Sequence, residues 1–108
     1  MILKFGVPCS KLKEYTKDVQ IHCTDEAQAM ALACGTILSG NKPEVYMQNS
    51  GVGHIVDIVT SLYKPYQIPL PDLIISIREK PEHHAFMYNI TESLLELLEY
   101  NDWVEHEP

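Results

Sequence analysis

The side chains able to do chemistry fall in a few short stretches of this sequence. Glu26 stands in Thr24-Asp25-Glu26-Ala27, just ahead of an apolar run with helical spacing. Its carboxyl therefore lies in the first turn of a helix, where the helix dipole favours an acid. Such a carboxyl is either a solvated helix end or, in a dry pocket, a group that can share a proton with a ligand. Asn49-Ser50-Gly51-Val52-Gly53-His54 is a turn whose glycines let backbone approach a flat ring closely. As a dinucleotide fingerprint it is weak, because Val56 takes the place of the third glycine. It also reads as a plain link between a strand and a helix. The pair His83-His84 suits a proton relay near neutral pH, or is two solvated imidazoles. Arg78 offers a planar fork to an anionic substrate head, or is a surface arginine. Cys9, after Pro8, fits a small buried residue better than a nucleophile. The histidines His22, His54, His83, His84 and His106 show no zinc-ligand spacing, alone or with the cysteines, so no metal site is expected.

These stretches have to be held by the elements between them. Ile2 to Phe5 reads as a strand stopped by Gly6 and Pro8. Ser10 can cap a short surface helix from Lys11 to Lys17, and Val19 to Cys23 alternates as a strand does. Thr24 can cap a helix carrying Ala27, Met30, Ala31, Cys34, Ile37 and Leu38 at helical spacing, ended by Gly40 and Asn41. Glu44 to Gln48 reads as a buried strand, followed by the glycine turn and a helix with Ile55, Ile58, Val59 and Leu62 on its apolar face. Pro65, Pro69 and Pro71 form a rigid connector to a strongly apolar strand, Asp72 to Ile77. A polar loop from Arg78 to His84 leads on to a last helix from about Thr91 to Tyr100, with Leu94, Leu95, Leu97 and Leu98 buried, and then an acidic tail from about Asn101 to Pro108.

Strands alternating with helices, with apolar strands, predict a three-layer α/β domain on a parallel sheet, a single domain over residues 1–108. Sites in such sheets lie at the C-terminal ends of the strands. That puts Gly6 to Ser10, Thr24 to Glu26, Asn49 to His54 and Arg78 to His84 along one edge.

With 45% hydrophobic and 21% charged residues the composition is that of a globular chain. The net charge of −7 repels nucleic acid and anionic lipid, so neither is expected as a partner. The start, MILKFGVPCS, turns polar too soon for a secretory or membrane segment, and an odd set of cysteines reads as reduced thiols; a cytoplasmic location is expected. A chain of 108 residues buries a modest core and gains from a partner surface.

GVPCS (6–10), TDEAQAMALACG (24–35), MQNSGVGH (47–54) and TSLYKPYQIP with DLIISIRE (60–79) occur in one order. Together they resemble the pyrimidine-binding domain of thiamine-diphosphate-dependent 2-oxoacid decarboxylases of the phosphonopyruvate and sulfopyruvate type. The resemblance implies a thiamine-diphosphate-binding fold, shortened at both ends. It implies thiamine diphosphate and magnesium as cofactors, held largely by a partner subunit that carries the diphosphate-binding domain with its GDG motif, which this chain lacks. It implies a hetero-oligomer, with a homodimer also plausible, acting on a small anionic 2-oxoacid.

By the same resemblance, Glu26 bonds a ring nitrogen of the aminopyrimidine, and Asn49, Ser50, Gly51, Gly53 and His54 pack against that ring. His54 stands where the family has an asparagine. His84 and His83 handle protons, and Arg78 meets the substrate anion. A non-catalytic regulatory or interaction subunit on the same fold, and an unrelated α/β small-molecule binder, are the alternatives.

Overall fold

The computed structural model describes residues 1–7, 19–77 and 82–106, with the backbone alone at 82–84. Cys9, the Ser10 cap, the helix expected over 11–17, and Arg78 lie outside the described residues.

The sheet grows outward from its most apolar strands. Strand β1 spans Ile2–Gly6, β2 Ile21–His22, β3 Lys42–Gln48, β4 Asp72–Ser76 and β5 Trp103–Glu105. All pair in parallel in the order β2-β1-β3-β4-β5, with Phe5 opposite Val45 and Val45 opposite Leu73. Along each strand, every second residue shares a face. Phe5, Val45, Met47, Leu73 and Ile75 therefore point to one side, where they meet the helices in the main core. Val19, Tyr46 and Ile74 form a smaller cluster on the other. A parallel sheet with flanking helices is the three-layer α/β class expected from the sequence.

Helix α1, Glu26–Leu38, starts one residue later than its threonine suggested. The cap is Asp25, whose Oδ1 accepts from the Gln28 amide at 2.8 Å. The Gln28 side chain reaches back to accept from the Thr24 amide at 2.7 Å. Thr24 is thus held by the cap rather than forming it, and Glu26 becomes the first helical residue. At the other end Gly40, at φ +90°, reverses the chain; its amide bonds to Ile37 O and that of Asn41 to Thr36 O, both at 3.0 Å.

After β3 the chain turns at once into a 3₁₀ helix, Asn49–Ile55, then a single turn α2, Val56–Ile58, then a π-helix, Val59–Tyr63. The tight first part and wide last part keep Val52, Ile55, Val59 and Tyr63 all fully buried. Ile58 and Leu62, expected on this face, are only half-buried. Tyr63 Oη donates to Met30 O at 2.6 Å and pins this segment to α1.

Two expectations for the C-terminal third are corrected. The last helix, α3, runs Glu82–Leu97, so residues 82–90 are helical and the loop assigned to Arg78–His84 ends before 82. Thr91, Leu95 and Leu98, at helical spacing, are its buried face, while Leu97 is 82% exposed. The segment expected to be an acidic tail contains β5, bonded to β4 through Leu73 N to Asp102 O at 2.8 Å and His106 N to Ile75 O at 2.7 Å. Buried Tyr100 anchors this return by donating to Pro71 O at 2.7 Å.

Candidate functional site

The strand order has a switch point. The chain moves from β1 outward to β2, then crosses back past β1 to β3. In open parallel sheets a crevice forms at the C-terminal ends of the strands flanking such a reversal. Here those strands are β1 and β3, ending at Gly6 and Gln48. Gly6 is packed so closely that a Cβ would come within 2.8 Å of Val19 Cγ2 and 3.1 Å of Tyr46. Cys23 lies beside it, its amide bonded to Gly6 O at 2.7 Å. Burial pushes the Cys23 thiol up, so it is a core thiol and not a nucleophile.

Glu26 and the 3₁₀ helix meet at this edge. Glu26 is no solvated helix end: its side chain is 12% exposed. Its carboxyl fills the space where Gly51 lacks a side chain. A Cβ on Gly51 would stand 2.6 Å from Glu26 Cγ and Cδ and 2.7 Å from Oε2. The other oxygen, Oε1, is 2.7 Å from Nδ1 of His54, whose side chain is 68% exposed. Asn49, the first residue of the same 3₁₀ helix, is fully buried. Ser50 is half-buried, its Oγ 3.5 Å from Gln48 Oε1. Gly53 faces open space, with nothing within 4 Å of a Cβ there.

The fold therefore brings Glu26, Gly51 and His54 together at one place, with Asn49 buried in the same 3₁₀ helix. The direct pairing of Glu26 with His54 was not foreseen, nor was Gly51 as the seat of the carboxyl. The partners are 28 residues apart, and no spacing rule joins them. His83 and His84 fall in the first turn of α3, where only backbone is described, so their side chains, like Arg78, cannot be assigned to the edge. Near that end of the sheet is a cleft of about 340 Å³ lined by Ile77, Tyr88, Asn89, Glu92, Trp103 and Glu105.

No family model matches the chain. Individual relatives do. The chain is 40% identical over 80 residues to the sulfopyruvate decarboxylase alpha subunit of Methanocaldococcus jannaschii, covering 68% of this chain and 47% of that one. It is 36% identical over 105 residues to the same subunit of Methanococcus maripaludis, covering 87% and 62%. It is 34% identical over 106 residues to a phosphonopyruvate decarboxylase of Streptomyces viridochromogenes, covering 85% and 26%. The chain is a homologue of these decarboxylases. It spans 47% and 62% of the two alpha subunits, so what those whole proteins do is not thereby established for it.

The switch point thus sets a carboxyl shielded from water beside an open glycine surface, an arrangement that can meet a flat polar ring. Among the described residues no group of three or more His, Cys, Asp or Glu is gathered as for a metal ion, and no helix is long and apolar enough to cross a membrane.

Proposed function

We propose that the chain is the pyrimidine-binding domain of a split thiamine-diphosphate-dependent 2-oxoacid decarboxylase, working at an interface with a diphosphate-binding partner subunit. The observation that carries this reading is the Glu26 carboxyl, shielded from water and seated on Gly51 at the switch point. The relatives named as alpha subunits support a divided enzyme.

Thiamine diphosphate, when bound, supplies the carbon nucleophile and the electron sink for loss of carbon dioxide. The residues of this chain prepare and guard it. Glu26 directs its carboxyl to a ring nitrogen of the aminopyrimidine and shares a proton with it. The outer surface at Gly53 receives the flat face of the ring, and Asn49, buried in the same 3₁₀ helix, supports the turn that presents it. Arg78 meets the anionic head of the substrate, and His83 and His84 supply and take up protons late in turnover. The diphosphate and magnesium belong to the partner in this reading.

Helix α1 supports a covered position. After Glu26 it carries no charged residue, and Gln28, Ala31, Leu32, Gly35 and Leu38 are all exposed. A helix apolar on both sides is normally buried on both.

The test is co-production with a subunit carrying the GDG motif, followed by decarboxylation assays on sulfopyruvate, phosphonopyruvate and a 2-oxoacid without a second anion. Turnover that requires both subunits and thiamine diphosphate is expected. A pair that assembles and stays inert on all of these acids points to the regulatory alternative. Tight magnesium-dependent binding of thiamine diphosphate by this chain alone would also count against the divided site.

A further inference from the structure

The contact between Glu26 Oε1 and His54 Nδ1, at 2.7 Å, joins two unlike environments. The Glu26 side chain is 12% exposed and the His54 side chain 68%. Oε2 of Glu26 lies against Gly51. One oxygen of the carboxyl thus faces protein, the other faces an imidazole, and the imidazole faces water. The contact also serves both protonation states. With hydrogen on Nδ1 the ring donates to the carboxylate; with the proton on Glu26 the carboxylic acid donates to Nδ1 and the ring carries its hydrogen on Nε2.

We propose that His54 is a positioning residue for Glu26 and the route by which the Glu26 carboxyl gains and loses protons. An acid in solvent protonates Nε2, and the Nδ1 proton passes to Oε1. The ring is left neutral with its hydrogen on Nε2 instead of Nδ1, and the net change is one proton moved from water to Glu26. The reverse path returns it. A flat ring laid on the outer surface of the 3₁₀ helix closes the remaining exposure of Glu26, which is when a relay is needed. Among the described residues the other ionisable groups at this edge are His22, exposed at the end of β2, Asp25, turned to cap α1, the buried thiol of Cys23, and Asp57 three residues along from His54. The inference rests on the proposed role of Glu26 toward the aminopyrimidine and extends it to the source of the proton.

An asparagine can hold a carboxyl but cannot carry a proton, so His54→Asn separates positioning from relay. Because His54 is exposed, this change and His54→Gln leave the fold intact. The first measurement uses the full chain with ¹⁵N-labelled histidine. Glu26→Gln is expected to move the Nδ1 resonance of His54, identified by its loss in His54→Asn; an unmoved resonance overturns the pairing.

The second measurement uses the assembled enzyme with thiamine diphosphate and no substrate, following deuterium uptake at the thiazolium carbon. His54→Asn should slow uptake on the order of 10²-fold, and free imidazole should restore it in a concentration-dependent way. Uptake at the wild-type rate in both His54→Asn and His54→Gln overturns the relay. Wild-type uptake in Glu26→Gln removes instead the role of Glu26 beneath it, an outcome the resonance measurement distinguishes because it needs no cofactor.

Discussion

Gly51 and Gly53 stand two residues apart in the same 3₁₀ helix and do opposite things. Gly51 faces inward, and the Glu26 carboxyl occupies the space of its missing side chain. Gly53 faces outward, with nothing within 4 Å of where a side chain would begin. The same division runs along the helix: Asn49, Val52 and Ile55 are fully buried, while Gly53 and His54 are exposed. The inner surface builds and holds the chain's own acid. The outer surface is left for something the chain does not supply. A glycine in a sequence thus has two distinct uses, making room for a neighbour and making room for a ligand, and only the packing tells them apart.

The largest effect belongs to the acid that the inner surface holds. In the assembled enzyme Glu26→Gln is expected to cut turnover on the order of 10²- to 10⁴-fold, since an amide cannot share the proton. The fold should survive, because a first-turn acid contributes only about 0.3–1 kcal/mol through the helix dipole. Steady-state turnover and a urea unfolding curve check the two halves. Activity within a few-fold of wild type would mean that the buried carboxyl is structural.

Gly51→Ala breaks the inner surface without touching the acid. A methyl 2.6 Å from Glu26 Cγ and Cδ forces the carboxyl from its seat. A stability loss of about 1–3 kcal/mol is expected from overpacking. Turnover should fall on the order of 10²-fold, because a displacement near 1 Å at a reacting group is enough for that. If only stability falls, Gly51 packs the core and does not aim the acid.

Much of this arrangement was legible before any coordinates. The alternation of apolar strands and helices carried the parallel sheet, because each element is long enough to show its own period. Glu26 and the turn at 49–54 stood out because four matched segments framed them. Four features were not legible, for separate reasons. Trp103–Glu105 is three residues preceded by Asp102 and ending in Glu105, and it becomes a strand only through bonds to β4. The first half of α3 exposes Phe86, Tyr88 and Ile90, so its apolar residues obscure the period that Thr91, Leu95 and Leu98 then display. Leu94, Leu95, Leu97 and Leu98 cannot all face one way at about 100° per residue, and Leu97 is the one turned out. The pairing of Glu26 with His54 depends on two crossovers of the chain, which local pattern does not encode.

A smaller effect is expected where the inner surface is tied to α1. Tyr63→Phe removes a buried bond to Met30 O and should cost about 0.5–1.5 kcal/mol at neutral pH, with turnover nearly unchanged. Its pH dependence has a definite sign. Burial first, and the neighbouring Cys34 second, push the Tyr63 phenol well above its ordinary value, and burial does the same to Tyr100. Below a pH of about 10, the ordinary tyrosine value, both states keep these protons and stability is unaffected. Above it the unfolded chain releases them while the folded chain does not, so stability falls as pH rises, by about 1.4 kcal/mol per pH unit for each such phenol. Tyr63→Phe should make that slope shallower and leave the share of Tyr100. Unfolding curves between neutral pH and pH about 11 test this; an unchanged slope would mean that Tyr63 ionises freely in the fold.

Gly53→Ala should be the quietest change for the chain alone, and that is what makes it informative. A methyl there meets no neighbour, and the residue lies in a helix that alanine tolerates. Stability should stay within about 0.5 kcal/mol of wild type, the usual range for a surface change. The Glu26–His54 contact should persist, read from the same Nδ1 resonance. If the outer surface receives the aminopyrimidine, the methyl intrudes on the ligand and weakens thiamine diphosphate in the assembled enzyme, visible as a raised half-saturating concentration. Turnover at saturation should fall far less than in Gly51→Ala, since the acid keeps its seat. The two alanines then separate cleanly, one lowering stability and turnover, the other lowering only cofactor affinity. A Gly53→Ala enzyme with wild-type cofactor affinity would mean that the ring lies elsewhere on this edge, and that the open space at Gly53 is solvent.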